Sequence, residues 1–202
     1  MADKRYVDNK AHLMDPITRN RVIDSLFYKQ HLYLTNEATV LPVITEHIAY
    51  LGGIDAMGRP SAMICCLLRL LELEPSVEIV VECLQQKEFK YLTALMMLYV
   101  RLVMPSAEVY RLLEPYYADY RKLRVQRAAV SQDDAGRTVR FALLYIDQWT
   151  ERLLVEERAI GVFLPRLEAR DVLEEAGEVE ERLNEILVAK EEESSEYESD
   201  SD

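Results

Sequence analysis

The sequence contains few residues that could build a metal site or a disulfide framework. Its 202 residues include only three cysteines and three histidines. Cys65, Cys66 and Cys83 form no CxxC pair and lie in apolar stretches, where reduced cysteine behaves as a small hydrophobic residue. The histidines are widely separated along the chain. We therefore expect the cysteines to belong to the core, and we expect no metal ion and no other cofactor.

The short motifs of common catalytic and nucleotide-binding sites are also missing. GxxxxGK[ST], GxGxxG, GxSxG and HExxH do not occur, so the sequence offers no candidate nucleophile, phosphate loop or metal cluster. Gly52 and Gly53 are interpreted as a helix terminator, because no Lys-Ser or Lys-Thr follows them at phosphate-loop spacing. We predict that the protein is not an enzyme and has no small-molecule substrate. No apolar run reaches the roughly 18 residues of a membrane span, so no membrane segment is expected.

A strong basic charge, which duplex-binding proteins carry, is absent. The net charge is −12, and residues 1–167 contain 21 acidic and 21 basic side chains. Residues 168–202 contain the other 15 acidic and 3 basic side chains, so the whole excess lies in this tail. A neutral body predicts weak general affinity for nucleic acid.

The composition and the apolar spacing predict an all-α fold. Glycine and proline number only six and seven, while Leu, Glu, Ala and Val recur at short spacing. We expect a single compact multi-helix domain over residues 14–177, preceded by a flexible N-terminus, 1–13. An acidic helix and a disordered acidic tail are expected over 178–202.

Individual helices follow from capping residues and prolines. Asp15 and Pro16 predict a first helix that runs to about Gln30. Thr35 or Asn36 begins a second helix, which is expected to end at the glycine pair, with a kink or short first piece at Pro42. Residues 61–73 and 88–104 are apolar on nearly every side, which predicts two central buried helices.

The segments between and after these helices are more polar. Pro75 is expected to separate two helices, and the polar cluster at 131–136 predicts a minor β-hairpin between residues 123 and 144. In the acidic tail, four serines lie beside Glu or Asp, as substrates of acid-directed kinases do. The predicted phosphorylation sites are Ser194, Ser195, Ser199 and Ser201.

One group of residues predicts a possible binding site for a partner. Aromatic and basic side chains cluster between residues 113 and 127, and the basic character continues across the hairpin at Arg137 and Arg140. The tyrosines either pack inward beside solvated cations or form a surface for an acidic peptide or single-stranded RNA. The candidate partner-binding residues are Tyr116, Tyr117, Tyr120, Arg121, Lys122, Arg124 and Arg127.

Two adjoining segments resemble the pre-mRNA-splicing factor 38 family. They are EFKYLTALMMLYVRL at 88–102 and EVYRLLEPYYADYRKLR at 108–124. LLRLLELEPSVEIVVE at 67–82 is similar to the preceding helix pair of that family, and IDQWTERLL and ERAIGVFLPRL are similar to its C-terminal helices. The resemblance covers about 14–177, although the hairpin region is longer than in other members and no Arg/Ser-rich tail follows.

The resemblance implies a non-catalytic scaffold in the nucleus, within the precatalytic spliceosome. It implies a requirement for pre-mRNA splicing at the activation step. The implied partners are a zinc-finger splicing protein, a microfibrillar-associated-type splicing protein and components of the tri-snRNP. Direct binding of single-stranded RNA through the Tyr/Arg surface is the alternative function, and weak RNA contact could accompany the first.

Overall fold

The structure is a computed structural model that describes residues 8–132 and 138–181. The chain divides into two compact units, 1–167 and 168–202. Within the segment expected to be a flexible N-terminus, residues Lys10–Leu13 form a 3-10 turn capped by Asn9. The hairpin turn at 133–137 and the tail from 182 onward, with its four serines, lie outside the described residues. The limits 14–177 for the helical domain remain a prediction.

The larger unit is built mainly from helices. They are α1 Pro16–Asp24, α2 Glu37–His47, α3 Ala62–Leu73, α4 Val77–Gln85, α5 Lys90–Val103, α6 Ser106–Leu113 and α7 Ile146–Val155. The described residues also form two antiparallel strand pairs, β1 Lys122–Gln132 with β2 Thr138–Tyr145 and β3 Arg158–Ala159 with β4 Val162–Phe163. The predicted helical fold with a hairpin is confirmed, whereas the second pair was not predicted because two-residue strands leave no alternation to detect.

Helices α3 and α5 lie at the centre of the core, as predicted. Eight of the 12 residues of α3 and eleven of the 14 residues of α5 are buried, so neither helix has a solvent face of normal width. Trp149 of α7 packs on them, and its indole Nε1 donates a hydrogen bond to the carbonyl oxygen of Ala94 at 3.1 Å. All three cysteines are free and buried, and burial raises the pKa of Cys65 to about 11.

The first helix is shorter than predicted. It ends at Asp24 because the Ser25 hydroxyl donates to the carbonyl oxygen of Val22 at 2.7 Å and accepts from the backbone N–H of Tyr28 at 3.2 Å. Ser25 therefore replaces the helical ladder with side-chain hydrogen bonds. The chain then continues as a wider π-helical turn at Tyr28–Leu32.

The predicted end of the second helix at the glycine pair is wrong. Helix α2 begins at the Asn36 cap, runs through Pro42 and ends at His47. Neither Gly52 nor Gly53 has the positive φ of a helix-terminating glycine. Glycine is favoured at these two positions for a different reason. A Cβ atom on either residue would lie less than 3.0 Å from atoms of other residues.

The long hairpin carries most of the strand content. Its strands pair from Lys122↔Tyr145 to Gln126↔Phe141, and the register then shifts before Ser131↔Val139, as at a β-bulge. On the other edge of β1, Leu51 forms a parallel bridge with Val125. The hairpin is thus tied to the connection that follows α2.

In the smaller unit, the described residues 168–181 include a short helix, α8 Arg170–Glu175. Gly177, with φ of +72°, follows it in the left-handed conformation that favours glycine at a helix end. The predicted acidic helix does not begin at 178, because residues 178–181 are not helical. An Arg170–Glu174 ion pair one turn apart supports the helix that is present.

Candidate partner-binding surfaces

The tyrosine-rich bend begins in the 3-10 turn Glu114–Ala118, directly after α6. Tyr116 points back to the core, and its hydroxyl donates to the carbonyl oxygen of Leu84 at 2.6 Å. Burial raises the pKa of the Tyr116 phenol. The Tyr117 hydroxyl is 2.5 Å from the Glu151 carboxylate on α7. These two tyrosines attach the bend to neighbouring helices, so they follow the inward-packing alternative from the sequence.

Arg121 also belongs to this internal framework. Its guanidinium contacts the Asp119 carboxylate through Nε at 2.8 Å and through a terminal nitrogen at 2.7 Å. Its other terminal nitrogen donates to the carbonyl oxygen of Lys87 at 2.9 Å. Burial acts to raise the pKa of Asp119, but the hydrogen bonds and charge of Arg121 outweigh it and lower that pKa. Arg121 therefore fixes the entry to β1.

Lys122 and Arg124 have a different environment, because alternate residues of a strand point to opposite faces. Leu123, between them, is buried, whereas Lys122 and Arg124 are exposed. Tyr120, just before the strand, is 69% exposed. The exposed cations therefore lie on the solvent side of the hairpin, which we call the outer face.

Aromatic residues that the sequence reasoning missed border the outer face. The ring of Phe141 on β2 lies 5.0 Å from the ring of Tyr50, centroid to centroid. The Arg124 guanidinium lies 5.9 Å from the Phe141 centroid, and the Arg124 backbone N–H donates to the Tyr91 hydroxyl at 3.1 Å. Only the strand register could have indicated that Phe141 lies near Arg124, and the hairpin turn chemistry did not define that register.

Arg127 lies elsewhere, at a cavity of about 410 Å³. The cavity is bounded by the 52–56 connection, β1, α7 and the tight turn between β3 and β4. Its apolar lining includes Ile64, Val125 and Trp149. Two of its charged lining residues, Arg152 and Glu156, form an ion pair with atoms 3.8 Å apart. The predicted binding residues are thus divided between two surfaces.

Close backbone contacts shape this cavity. Ile160 and Gly161 both have positive φ, 45° and 87°, which closes the β3–β4 turn in two residues. A Cβ atom on Gly53 would lie 2.0 Å from the Ile160 carbonyl oxygen. The second glycine therefore allows this turn to press against the connection after α2. An isoleucine with positive φ is a strained conformation, of the kind found where the surrounding packing imposes it.

Metal-binding side chains are not grouped on either of these described surfaces. Across residues 8–132 and 138–181, no three histidine, cysteine, aspartate or glutamate side chains are grouped to hold a metal ion. Helices in the same part of the chain are all too short or too polar to cross a membrane. The fold and these surfaces together define a class of mostly helical domains. Its described surfaces are the cavity and the outer face, and both are suited to binding.

Comparison with known proteins identifies the family within that class. A family model of the PRP38 family matches residues 3–177. The chain is 34% identical over 177 residues to pre-mRNA-splicing factor 38A of Xenopus tropicalis, and the match covers 87% of this chain and 54% of that protein. It is 32% identical to pre-mRNA-splicing factor 38 of Drosophila melanogaster, covering 87% and 51%. The chain belongs to the PRP38 family.

A solved structure agrees with this assignment. A chain in the crystal structure of the Snu23-Prp38-MFAP1(217-258) complex of Chaetomium thermophilum superimposes with a TM-score of 0.80 at 32% identity. The match covers 93% of this chain and 95% of that chain. The protein spans about half the length of the curated relatives that it matches.

Proposed function

We propose that the protein is a non-catalytic scaffold of the precatalytic spliceosome and is required for pre-mRNA splicing at the activation step. The observation that carries this proposal is the likeness of nearly the whole chain to one that crystallised with Snu23 and a segment of MFAP1. A scaffold needs rigid surfaces, and the two central helices supply a rigid core beneath both surfaces described above. The proposed location is the nucleus.

The proposed partners are splicing proteins of the same kinds. One is a zinc-finger protein like Snu23, and one is a microfibrillar-associated-type protein like MFAP1. Components of the tri-snRNP are further partners in this proposal. We expect all of these partners to bind through helices or extended segments, because such segments fit grooves on a small helical domain.

The cavity beside Arg127 is the proposed protein-binding site. Its lining offers apolar contact, and Arg127 and Arg152 supply cations at its sides. Of the two acidic side chains in its lining, Asp55 is paired with Arg59 at 2.9 Å and Glu156 with Arg152. A carboxylate of a partner segment would therefore meet little repulsion from these two side chains.

The edge of β1 favours an extended partner segment. Leu51 occupies this edge by donating to the carbonyl oxygen of Arg124 at 2.7 Å and accepting from the N–H of Gln126 at 2.8 Å. Residues 52–56 of the connection and residues 125–127 of the strand both line the cavity. An extended acidic segment could continue the ladder there, with its main chain on β1 and its side chains in the cavity.

The other predicted partner residues would act differently in this scheme. Tyr116, Tyr117 and Arg121 would support the site indirectly, because their side chains fix the bend from which β1 starts. Lys122 and Arg124 lie on the outer face and would not touch a segment in the cavity.

The binding site is tested with Snu23 and the MFAP1 segment, immobilised separately. The double variant Arg127→Glu with Arg152→Glu is expected to weaken binding of at least one of them by about tenfold, because charge reversal replaces attraction by repulsion. Arg166→Glu is the matched control, since Arg166 is exposed and lies outside the cavity lining. Unchanged binding of both partners by the folded double variant would exclude the cavity.

The cellular role requires a separate experiment. Nuclear extract depleted of the protein is expected to accumulate spliceosomes stalled before activation, with their small nuclear RNAs still paired, and adding back the wild-type chain should restore progress. Normal splicing in the depleted extract would refute the scaffold function. A block that appears only after the first chemical step would instead contradict the assignment to activation.

A further inference from the structure

The outer face of the hairpin combines features that the protein-binding cavity lacks. Strand alternation places Lys122, Arg124 and Gln126 of β1 on one face, which they share with their cross-strand partners Tyr145, Leu143 and Phe141 of β2, respectively. The opposite face carries Leu123 and Leu144, which are 0% and 4% exposed. One face therefore belongs to the core, and the other is available to a ligand.

Apolar and aromatic groups remain accessible on this face. Leu143 is 58% exposed, and the Phe141 and Tyr50 rings meet at 52° while both stay partly exposed. Tyr91 lies at the margin, with the Lys90 ammonium 5.5 Å from its ring centroid. Partly exposed rings beside a large exposed leucine are unusual for a solvated hairpin and indicate a contact surface.

Cations surround these rings. Among the described residues, neither Lys122 nor Arg124 takes part in an ion pair. The Lys90 ammonium donates to the carbonyl oxygen of Lys122 at 2.6 Å, which brings a third positive charge to the same end of the strand. Burial, and after it the negative charge of Asp55, raise the pKa of the Tyr50 phenol. The Asp55 carboxylate is already paired with Arg59.

We propose that the outer face binds single-stranded RNA. Bases would stack on Phe141 and Tyr50, and the Arg124 guanidinium, 5.9 Å from the centroid of the Phe141 ring, would contact a phosphate. Lys122 and Lys90 would contact the adjacent phosphates. From Lys122 to Gln126 the strand spans roughly 13 Å at about 3.3 Å per residue, which accommodates two or three nucleotides.

Several observations favour this ligand over others. An acidic peptide would satisfy the cations but would leave the aromatic faces without a stacking partner, whereas every base has a flat π surface. A duplex does not fit, because its bases are stacked on one another and their faces are inaccessible to the rings. The proposal does not depend on the scaffold function, since its residues are not those of the cavity.

The experiment uses the full chain and a fluorescent oligouridylate of about ten nucleotides, with binding followed by anisotropy. Affinity should fall between about 50 and 200 mM salt with a logarithmic slope of roughly −2, as expected for about three phosphate contacts. Lys122→Ala and Arg124→Ala should each make the slope shallower by about 0.7. Arg166→Glu, an exposed charge away from this face, should leave the slope unchanged.

The stacking component is tested by Phe141→Leu, which keeps an apolar side chain and removes the ring. It should weaken binding by about fivefold or more without lowering the melting temperature appreciably. Unchanged affinity in Phe141→Leu together with weakened binding in Arg166→Glu would mean non-specific charge attraction and would overturn the proposal. It would also be overturned if the oligonucleotide did not bind while an acidic peptide did. The Arg127→Glu, Arg152→Glu variant should retain RNA binding, which would show that RNA binds at the outer face and not at the cavity.

Discussion

Substitution of Gly53 by alanine provides a sharp test of the cavity geometry. The new Cβ atom would lie 2.0 Å from the carbonyl oxygen of Ile160 and 3.0 Å from its carbonyl carbon. Carbon and oxygen that are not bonded approach to about 3.3 Å at closest, so the two segments must separate by about 1.3 Å. Both of the clashing atoms belong to the backbone of a tight turn, and rotation of a side chain cannot relieve the contact.

The neighbouring glycine is a matched control with a different type of obstacle. A Cβ atom on Gly52 would lie 2.6 Å from Gln126 Oε1 and 2.6 Å from a ring carbon of Tyr50. Both obstacles are side-chain atoms, and the Gln126 amide can rotate away. We therefore expect Gly53→Ala to lower the free energy of unfolding by about 3 kcal/mol, the upper part of the range for overpacking. Gly52→Ala should lower it by about 1 kcal/mol.

Thermal unfolding followed by circular dichroism measures both effects. For a chain of this size 1 kcal/mol corresponds to about 2–4 °C, so Gly53→Ala should melt about 6–12 °C below the wild type. Because the turn moves, this variant should also lose affinity for whichever splicing protein occupies the cavity. A melting temperature within about 2 °C of wild type, or a larger loss in Gly52→Ala than in Gly53→Ala, would refute the close-contact argument.

Other predictions concern the core, the bend and the tail. Leu95→Ala should lower the free energy of unfolding by about 2–5 kcal/mol in urea titrations, because Leu95 is fully buried and its removal leaves a cavity. The hydrogen bonds and charge of Arg121 lower the pKa of Asp119 in the folded protein. The ion pair therefore contributes to stability above the ordinary aspartate pKa of about 3.9, and this contribution is lost as pH falls through the lowered pKa. Asp119→Asn should consequently be less stable at neutral pH and lose less stability on acidification, and equal acid sensitivity would contradict the pairing. Truncation after Gly177 should change the melting temperature by less than about 5 °C, and a larger drop would place the domain boundary further along. Phosphopeptide mapping of protein from its native cells should detect modification in the acidic tail, and an unmodified tail would disprove it; the expected sites are Ser194, Ser195, Ser199 and Ser201.

The central helices could be predicted because their pattern is local. Residues 61–73 and 88–104 are apolar around the whole helix circumference, and only a helix enclosed by others buries such a surface. Pro75 and the Asp15–Pro16 cap gave correct boundaries because φ restriction and capping act within one turn. The π turn after Ser25 could not be predicted in the same way, since a mid-chain serine is compatible with a continuing helix.

The candidate site was predicted only in part. The sequence correctly indicated an aromatic and basic region near 116–127, but it could not assign the direction of each side chain. Tyr116 bonds to a residue 32 positions away, and Phe141 meets Tyr50 from a different part of the chain. Such contacts depend on the register of the hairpin and on which helices become neighbours.

By itself, the sequence determined the helical class, the identity of the buried helices and the placement of negative charge in residues 168–202. These properties follow from side-chain spacing, capping and composition, which act over a few residues. Only the tertiary structure decided that Arg121 and Tyr116 are internal, that Gly53 permits close contact with the Ile160 backbone, and that Tyr50 and Phe141 share a surface. Those outcomes depend on packing between segments far apart in sequence, because excluded volume and hydrogen-bond partners exist only once the segments have come together.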